Sequence, residues 1–252
     1  MTSRKRRFSF SLSLLFILCL AAASLLVYDR YVRSSAAPPY GAALGEQLTE
    51  IPAYAGEASV PVNGNIPFFT EEECQLSSFF ENYSPLDALG RTGQAFACLD
   101  EAHMATGERE DLSFVRPSGW QNHEYAFLEE TYQSSWLYNR CHLIAWQLTG
   151  QNANPENLLT GTQYLNHKGM LPYEKQVMQY LYDTGGHVLY RVTPVYRDDQ
   201  LVAQGVLLEA RSVEDEGRGL CFCVYCFNVE PGVVIHYRTG DNYADSAPAK
   251  VH

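Results

Sequence analysis

Asn139-Arg140-Cys141-His142-Leu143 is the stretch on which the reading of this chain turns. Asn154-Pro155-Glu156-Asn157, Asn166 and Glu174 follow it in order. A neutral imidazole such as that of His142 can take a proton from water near pH 7, because its unperturbed pKa lies close by. The amide oxygen of a helical asparagine about 25 residues later is a hard ligand suited to Mg²⁺, an ion that keeps most of its waters. Arg140 beside them can hold a phosphate oxygen by a forked hydrogen bond. A base, a hard-metal ligand and an anion clamp together suit phosphodiester cleavage, where the ion offsets charge on the phosphate and the leaving oxygen.

Working outward, Trp136-Leu137-Tyr138 leads a strand into this stretch, residues 152–157 form a polar loop, and residues 158–168 read as a short helix. Pro172 fits the first turn of a second helix, which Gly185-Gly186 ends. Strands follow at 187–196, 201–210, 220–229 and 233–237, with a hairpin turn at Arg197-Asp198-Asp199-Gln200. Upstream, residues 94–99 form an apolar strand, and Arg116-Pro-Ser-Gly-Trp120 is a turn. Residues 71–80 read as a helix capped by Thr70, with Glu71-Glu72-Glu73 at the positive end of its dipole. Residues 51–69 read as an extended segment wrapping the body. Seventeen Tyr and twelve Phe favour strands. The expected body is one α+β domain on an antiparallel sheet.

Of 252 residues, 46% are hydrophobic and 19% charged, which excludes a mainly disordered chain. The net charge of −11 is unevenly spread. Residues 1–34 carry six basic side chains against Asp29, leaving the rest with 12 basic against 28 acidic, or −16. Such a body repels a polyanion over most of its surface, which argues against a passive nucleic-acid coat.

The basic cluster Arg4-Lys5-Arg6-Arg7 precedes a charge-free run, residues 8–27, that spans roughly 30 Å as a helix, enough for a bilayer core. Basic residues in front predict a cytoplasmic amino terminus and an exported body. Ala21-Ala22-Ala23-Ser24 also resembles a signal-peptide cleavage site, but the apolar run continues past it and favours an uncleaved membrane anchor. The expected organisation is a basic tail and anchor or signal peptide at 1–34, a linker and extended segment at 35–69, and a catalytic domain at 70–252.

Six cysteines lie beyond that run, an even count that permits up to three disulfides in an exported body. Cys221 and Cys223 alternate onto one face of a strand and Cys226 onto the other. One C-x-C-x-x-C is a weak zinc signal. Strand packing with one or two disulfides is the expectation.

The ordered motifs resemble the DNA/RNA non-specific endonucleases of the His-Me finger (ββα-metal) class, in the exported form found in Gram-positive bacteria. The signature D-R-G-H reads Asn139-Arg140-Cys141-His142 here. The resemblance runs through Asn154-Pro155-x-Asn157, Thr162, Asn166 and Gly169-Met170-Leu171-Pro172-x-x-Glu174 to His187–Tyr196 and Tyr237-Arg-Thr-Gly240. It implies a ββα-metal core that cuts DNA and RNA. It makes His142 the general base, Arg140 a phosphate contact and Asn166 the one direct protein ligand to Mg²⁺, with Mn²⁺ as a substitute. Glu174 matches an acidic residue that helps position water at the metal, and Asn157 a supporting loop residue near the substrate. Arg191 is a further candidate phosphate contact, as is Arg238. Asn139 in place of Asp removes a negative charge beside Arg140, and Cys141 in place of Gly adds a side chain.

Two other functions compete. A thiol enzyme would pair Cys141 with His142, but adjacent strand residues point to opposite faces. A non-catalytic envelope protein could retain the fold and bind nucleic acid or a partner, which the acidic charge disfavours. His167, beside Asn166, is the other histidine worth following. Trp120, Trp136 and Trp146 suit either base stacking or packing.

Overall fold

The structure is a computed structural model that describes residues 53–245. The basic cluster, the charge-free run, the cleavage-like site and residues 35–52 of the linker lie outside the described residues. Among those described, no helix is long and apolar enough to cross a membrane.

Alternating apolar residues build a six-stranded sheet in which every pairing is antiparallel. Its strands are β1 (Ser59–Pro61), β2 (Phe80–Tyr83), β3 (Ala95–Leu99), β6 (Val188–Val195), β7 (Gly205–Ser212) and β8 (Cys221–Phe227). Their spatial order is β1-β8-β7-β6-β3-β2. The segment expected to wrap the body thus joins the sheet, with Ser59 paired to Cys226. A separate hairpin joins β4 (Tyr138–His142) to β5 (Leu158–Thr162), and a second joins β9 (Val233–Ile235) to β10 (Asn242–Ala244). The helices are α1 (Ala126–Tyr132), α2 (Trp146–Thr149), a π-helical turn at Leu165–Met170, and α3 (Leu171–Thr184).

Two elements differ from expectation. Residues 158–162 form strand β5 rather than the start of a helix. Thr160 and Thr162 favour extended backbone, and β4 supplies the ladder. The helix at 71–80 shrinks to one 3₁₀ turn, Glu73–Gln75. Thr70 and Glu73 do form a reciprocal cap there: the Glu73 N–H donates to Thr70 Oγ1 and the Thr70 N–H to Glu73 Oε2. Ser77-Ser78 then gives the chain no apolar stripe, and Phe80 must extend to pair with Cys98. By contrast α3 ends as expected, at Gly185 with φ 62°.

The core lies on one face of the sheet. Tyr190, Val192, Leu208, Ala210, Phe222 and Val224 point toward Val177 and Leu181 of α3 and toward Leu143, Leu159 and Leu165 of the β4–β5 corner. The opposite face carries Arg191, Glu209 and Cys223, over which residues 62–75 pass. Cys226 faces the core and Cys223 the opposite side, as the alternation requires. The expected disulfides do not form. Cys74, Cys98, Cys141, Cys221, Cys223 and Cys226 are all free thiols, and most of them pack as small apolar groups.

Candidate active site

The β4–β5 hairpin and the helix after it place the chemistry. β4 carries Asn139, Arg140 and His142 into a cleft of about 480 Å³, and the π turn and α3 bring Asn166 and Glu174 to the same cleft. Four of the residues singled out from the sequence therefore converge: Arg140, His142, Asn166 and Glu174. The corner is held from behind by the segment after β8. The Thr162 N–H donates to Asn228 Oδ1 and the Tyr164 N–H to Glu230 Oε2, both at 2.9 Å. The widened π turn then begins at Leu165, with Asn166 its second residue.

His142 is buried, and its Nε2 donates to the carbonyl oxygen of Asn152 at 2.9 Å. A carbonyl can only accept, so Nε2 carries the ring proton and Nδ1 keeps its lone pair. Arg109 Nη2 approaches that Nδ1 at 3.3 Å. Burial first, and then the Arg109 charge, outweigh the Asn152 carbonyl and bring the imidazole pKa down to about 4. The ring is neutral at pH 7.

Glu174 sits in the first turn of α3, and burial pushes its carboxyl up to about 8 against the pull of the Arg109 charge. Tyr190 of β6 stands behind it. The Tyr190 hydroxyl is buried without a partner among the described residues, and its pKa is raised by burial and then by the Glu174 charge. The Asn166 amide lines the cleft and likewise makes no hydrogen bond among the described residues.

The other candidates are placed differently. Asn157 is fully buried outside the cleft lining. It accepts from the Ile144 N–H at 2.9 Å and donates to the Ile144 carbonyl at 3.0 Å, so it fixes the turn leaving β4 and does not reach substrate. Arg191 requires a correction. It lies on the far face of the sheet, fully buried, with Nε on Glu209 at 2.8 Å and Nη1 on Glu73 at 2.9 Å. Its charge is spent inside the fold, away from any phosphate. Arg238 is engaged with Asp199 at the surface. Arg140 lines the cleft, but Nε donates to the Val115 carbonyl at 2.6 Å and Nη2 to that of Ser113 at 2.8 Å, while the guanidinium stacks on Trp120 at 4.3 Å. His167 lines the cleft too, with its ring 5.4 Å from that of Tyr132.

Cys141 is buried with its thiol pKa raised by burial, packed so closely on Gly161 that no Cβ fits there. It points away from the cleft, which leaves the Cys141–His142 dyad without a geometric basis.

Two contributors escaped the sequence reading. Arg109 lies in Glu108-Arg109-Glu110-Asp111, a charge run that reads as a solvated loop. Asn152 acts through its backbone carbonyl, which no residue pattern reveals.

The donor set can be tested against a divalent cation. Asn166 and Glu174 offer an amide and a carboxyl oxygen to one open cleft, and the described residues contain no group of three or more His, Cys, Asp or Glu that could hold a metal. Few protein oxygens with room for several waters suit Mg²⁺, so the residues fit such an ion.

The sequence profile for DNA/RNA non-specific endonuclease matches residues 74–214, more than half of the chain. Among solved structures, NucA from Streptococcus agalactiae with magnesium bound aligns with a TM-score of 0.67 and 24% identity, covering 82% of this chain and 95% of that one. The Sda1 nuclease with bound zinc aligns at 0.62 and 21%, over 76% of this chain and 97% of that one. A protein described as an extracellular endonuclease aligns at 0.53 and 19%, over 76% and 100%. At such identities the likeness is one of fold. No curated protein matches.

Proposed function

Since the chain belongs to the DNA/RNA non-specific endonuclease family, we propose that it hydrolyses phosphodiester bonds of DNA and RNA outside the cell, assisted by Mg²⁺ or Mn²⁺, leaving 5′-phosphate and 3′-hydroxyl ends. One observation carries this reading. The Asn152 carbonyl locks the proton of His142 on Nε2, which leaves the Nδ1 lone pair in the cleft that Asn166 and Glu174 also line.

His142 takes a proton from the attacking water at Nδ1 and, with its pKa brought down to about 4, is in the base form throughout the neutral range. Arg109 leaves Nδ1 as the water arrives and turns its guanidinium to a phosphate oxygen. Asn166 would hold the cation through its amide oxygen, and Glu174 would orient water in the cleft that both line. When bound, the ion offsets the charge that develops on the phosphate and the leaving 3′-oxygen. Arg140 keeps the wall of the cleft in place through the Ser113 and Val115 carbonyls. Because the nucleophile is water, no ribose 2′-hydroxyl is needed and both sugars are substrates. Contacts to phosphate rather than base edges make sequence preference weak.

Extracellular action is supported by the basic cluster and charge-free run at residues 4–27, which suit an anchor with the body outside. NucA carries magnesium and Sda1 zinc in their own structures, which supports a metal-assisted reaction here without fixing the ion.

The test uses end-labelled DNA and RNA with Mg²⁺ or EDTA, followed by a ligase that requires a 5′-phosphate. Both strands should be cut only with the ion and then be ligatable. RNA-only cleavage, or 2′,3′-cyclic phosphate ends, would overturn the mechanism.

A further inference from the structure

We infer that Phe114 is a nucleobase-stacking residue on the rim of the cleft, and that it directs the enzyme toward strands whose bases are not paired. This deepens the nuclease reading and rests on it. At 71% exposure Phe114 is the most exposed large apolar side chain among the described residues. It makes no ring contact there.

The backbone beneath that ring is unusually well fixed for a surface loop. Asp111 accepts from the Ser113 N–H at 2.8 Å and from its hydroxyl at 2.5 Å, and the Val115 N–H donates to the Leu112 carbonyl at 3.0 Å. Arg140 then clamps the carbonyls on either side of Phe114, those of Ser113 and Val115, while resting on the Trp120 ring. A cleft-lining arginine thus commits two of its five donors to holding a loop whose tip is a bare phenyl ring. Arg109, Glu110 and Leu112 of the same loop line the cleft, and Phe114 follows Leu112 by two positions on the loop that forms its wall.

A rigid aromatic face beside a site for phosphodiesters matches the flat face of a base. It is tolerant of sequence, because every base has such a face. It also suits this molecule electrostatically. The chain beyond residue 34 has a net charge of −16, so phosphate attraction is weak over most of its surface, and stacking adds affinity without depending on charge. Paired bases are already stacked on one another and separating them costs a few kcal/mol per step, so the ring favours unpaired strands.

Binding is measured with the full chain carrying His142→Ala, using a labelled thymidine 12-mer, the same strand with abasic residues, and a duplex. Phe114→Ala should weaken binding of the 12-mer by about 5- to 150-fold, the range for one lost base stack. Phe114→Trp should restore it. The abasic strand should bind equally weakly with or without the ring, the duplex should be unaffected, and the salt dependence of 12-mer binding should not change, since stacking releases no counterions. In the background with His142 intact, Phe114→Ala should raise KM on single strands and leave kcat alone. Unchanged 12-mer affinity, an equal loss on abasic strands, or a loss confined to duplex would overturn the inference. Wild-type nicking of plasmid separates the two claims. If nicking is seen and Phe114→Ala is silent, only the role of Phe114 falls; if nicking is absent, the nuclease reading falls.

Discussion

The two faces of the six-stranded sheet bury ionisable groups in opposite ways. On the far face, Arg191 is fully enclosed yet answered by Glu209 and Glu73, and Glu209 also accepts from the Phe68 N–H at 2.7 Å. On the cleft face, the Glu174 and Asn166 side chains have no hydrogen-bond partner among the described residues, and the Tyr190 hydroxyl is unpaired. His142 meets a cation. Closed charge networks hold the fold, whereas groups kept off balance are available for chemistry. This contrast separates the two arginines that the sequence had placed together, Arg140 and Arg191.

The largest effect expected from this contrast is on the cleft side. His142→Ala should lower kcat on plasmid DNA by about 10²–10⁴-fold, the usual contribution of a general base. The fold should be retained, because β4 keeps its ladder to β5, and the circular dichroism should be that of the wild type. Retention of more than about a tenth of the wild-type rate would remove His142 from the role of base.

Arg191→Met should do the reverse. It leaves Glu209 buried and uncompensated, which typically costs about 3–5 kcal/mol. Urea unfolding should show this loss, while the rate per folded molecule stays near wild type. A fall in kcat at unchanged stability would mean that the far face takes part in catalysis after all.

How much of this was legible beforehand depended on where the information resides. The order His142, Asn166, Glu174 is a property of the chain, and the cleft unites all three. The ending of α3 at Gly185 was equally local. Strand β5 was not, because residues 158–162 become extended through the partner strand β4, a tertiary effect that overrides local preference. Nothing in the alternation of residues 188–195 says that Arg191 faces away from the substrate, since both faces of a covered sheet are buried. Arg109 and the Asn152 carbonyl were invisible for related reasons: one sits in a loop of mixed charge, and the other acts through its backbone. Arg140 was correctly drawn to the cleft, but its two loop contacts depend on residues about 25 positions upstream.

Glu174→Gln should sharpen the contrast by stabilising the protein while impairing it. The carboxyl titrates near 8 in the folded state against 4.5 as a free side chain. The folded state therefore binds more protons than the unfolded one between those values, and stability falls as pH rises through that window. A neutral amide removes the penalty, so the variant should gain on the order of 4 kcal/mol at pH 8 and under about 1 kcal/mol at pH 5. That corresponds to a melting temperature about 8–16 °C higher at pH 8, measured with EDTA present. An equal gain at both pH values would point to packing rather than charge.

The smallest effect concerns Arg109. Burial is the main reason that the His142 pKa lies low, and the guanidinium 3.3 Å from Nδ1 adds to it. Removing that charge makes the imidazolium easier to form, so the pKa rises. The base must be neutral to accept a proton, and the acid limb of kcat/KM, which reports the free enzyme with Arg109 on Nδ1, therefore moves toward neutral pH. Arg109→Gln should lose rate at pH 5 relative to pH 7, beyond any uniform loss from the missing phosphate contact. Arg109→Lys should keep the limb where it is in the wild type, because a charge of the same sign remains. A limb that stays fixed in the Gln variant would mean that Arg109 is turned away from His142 in the free enzyme. A limb that moves in the Lys variant as far as in the Gln variant would show that the forked shape, rather than the charge, is what His142 feels.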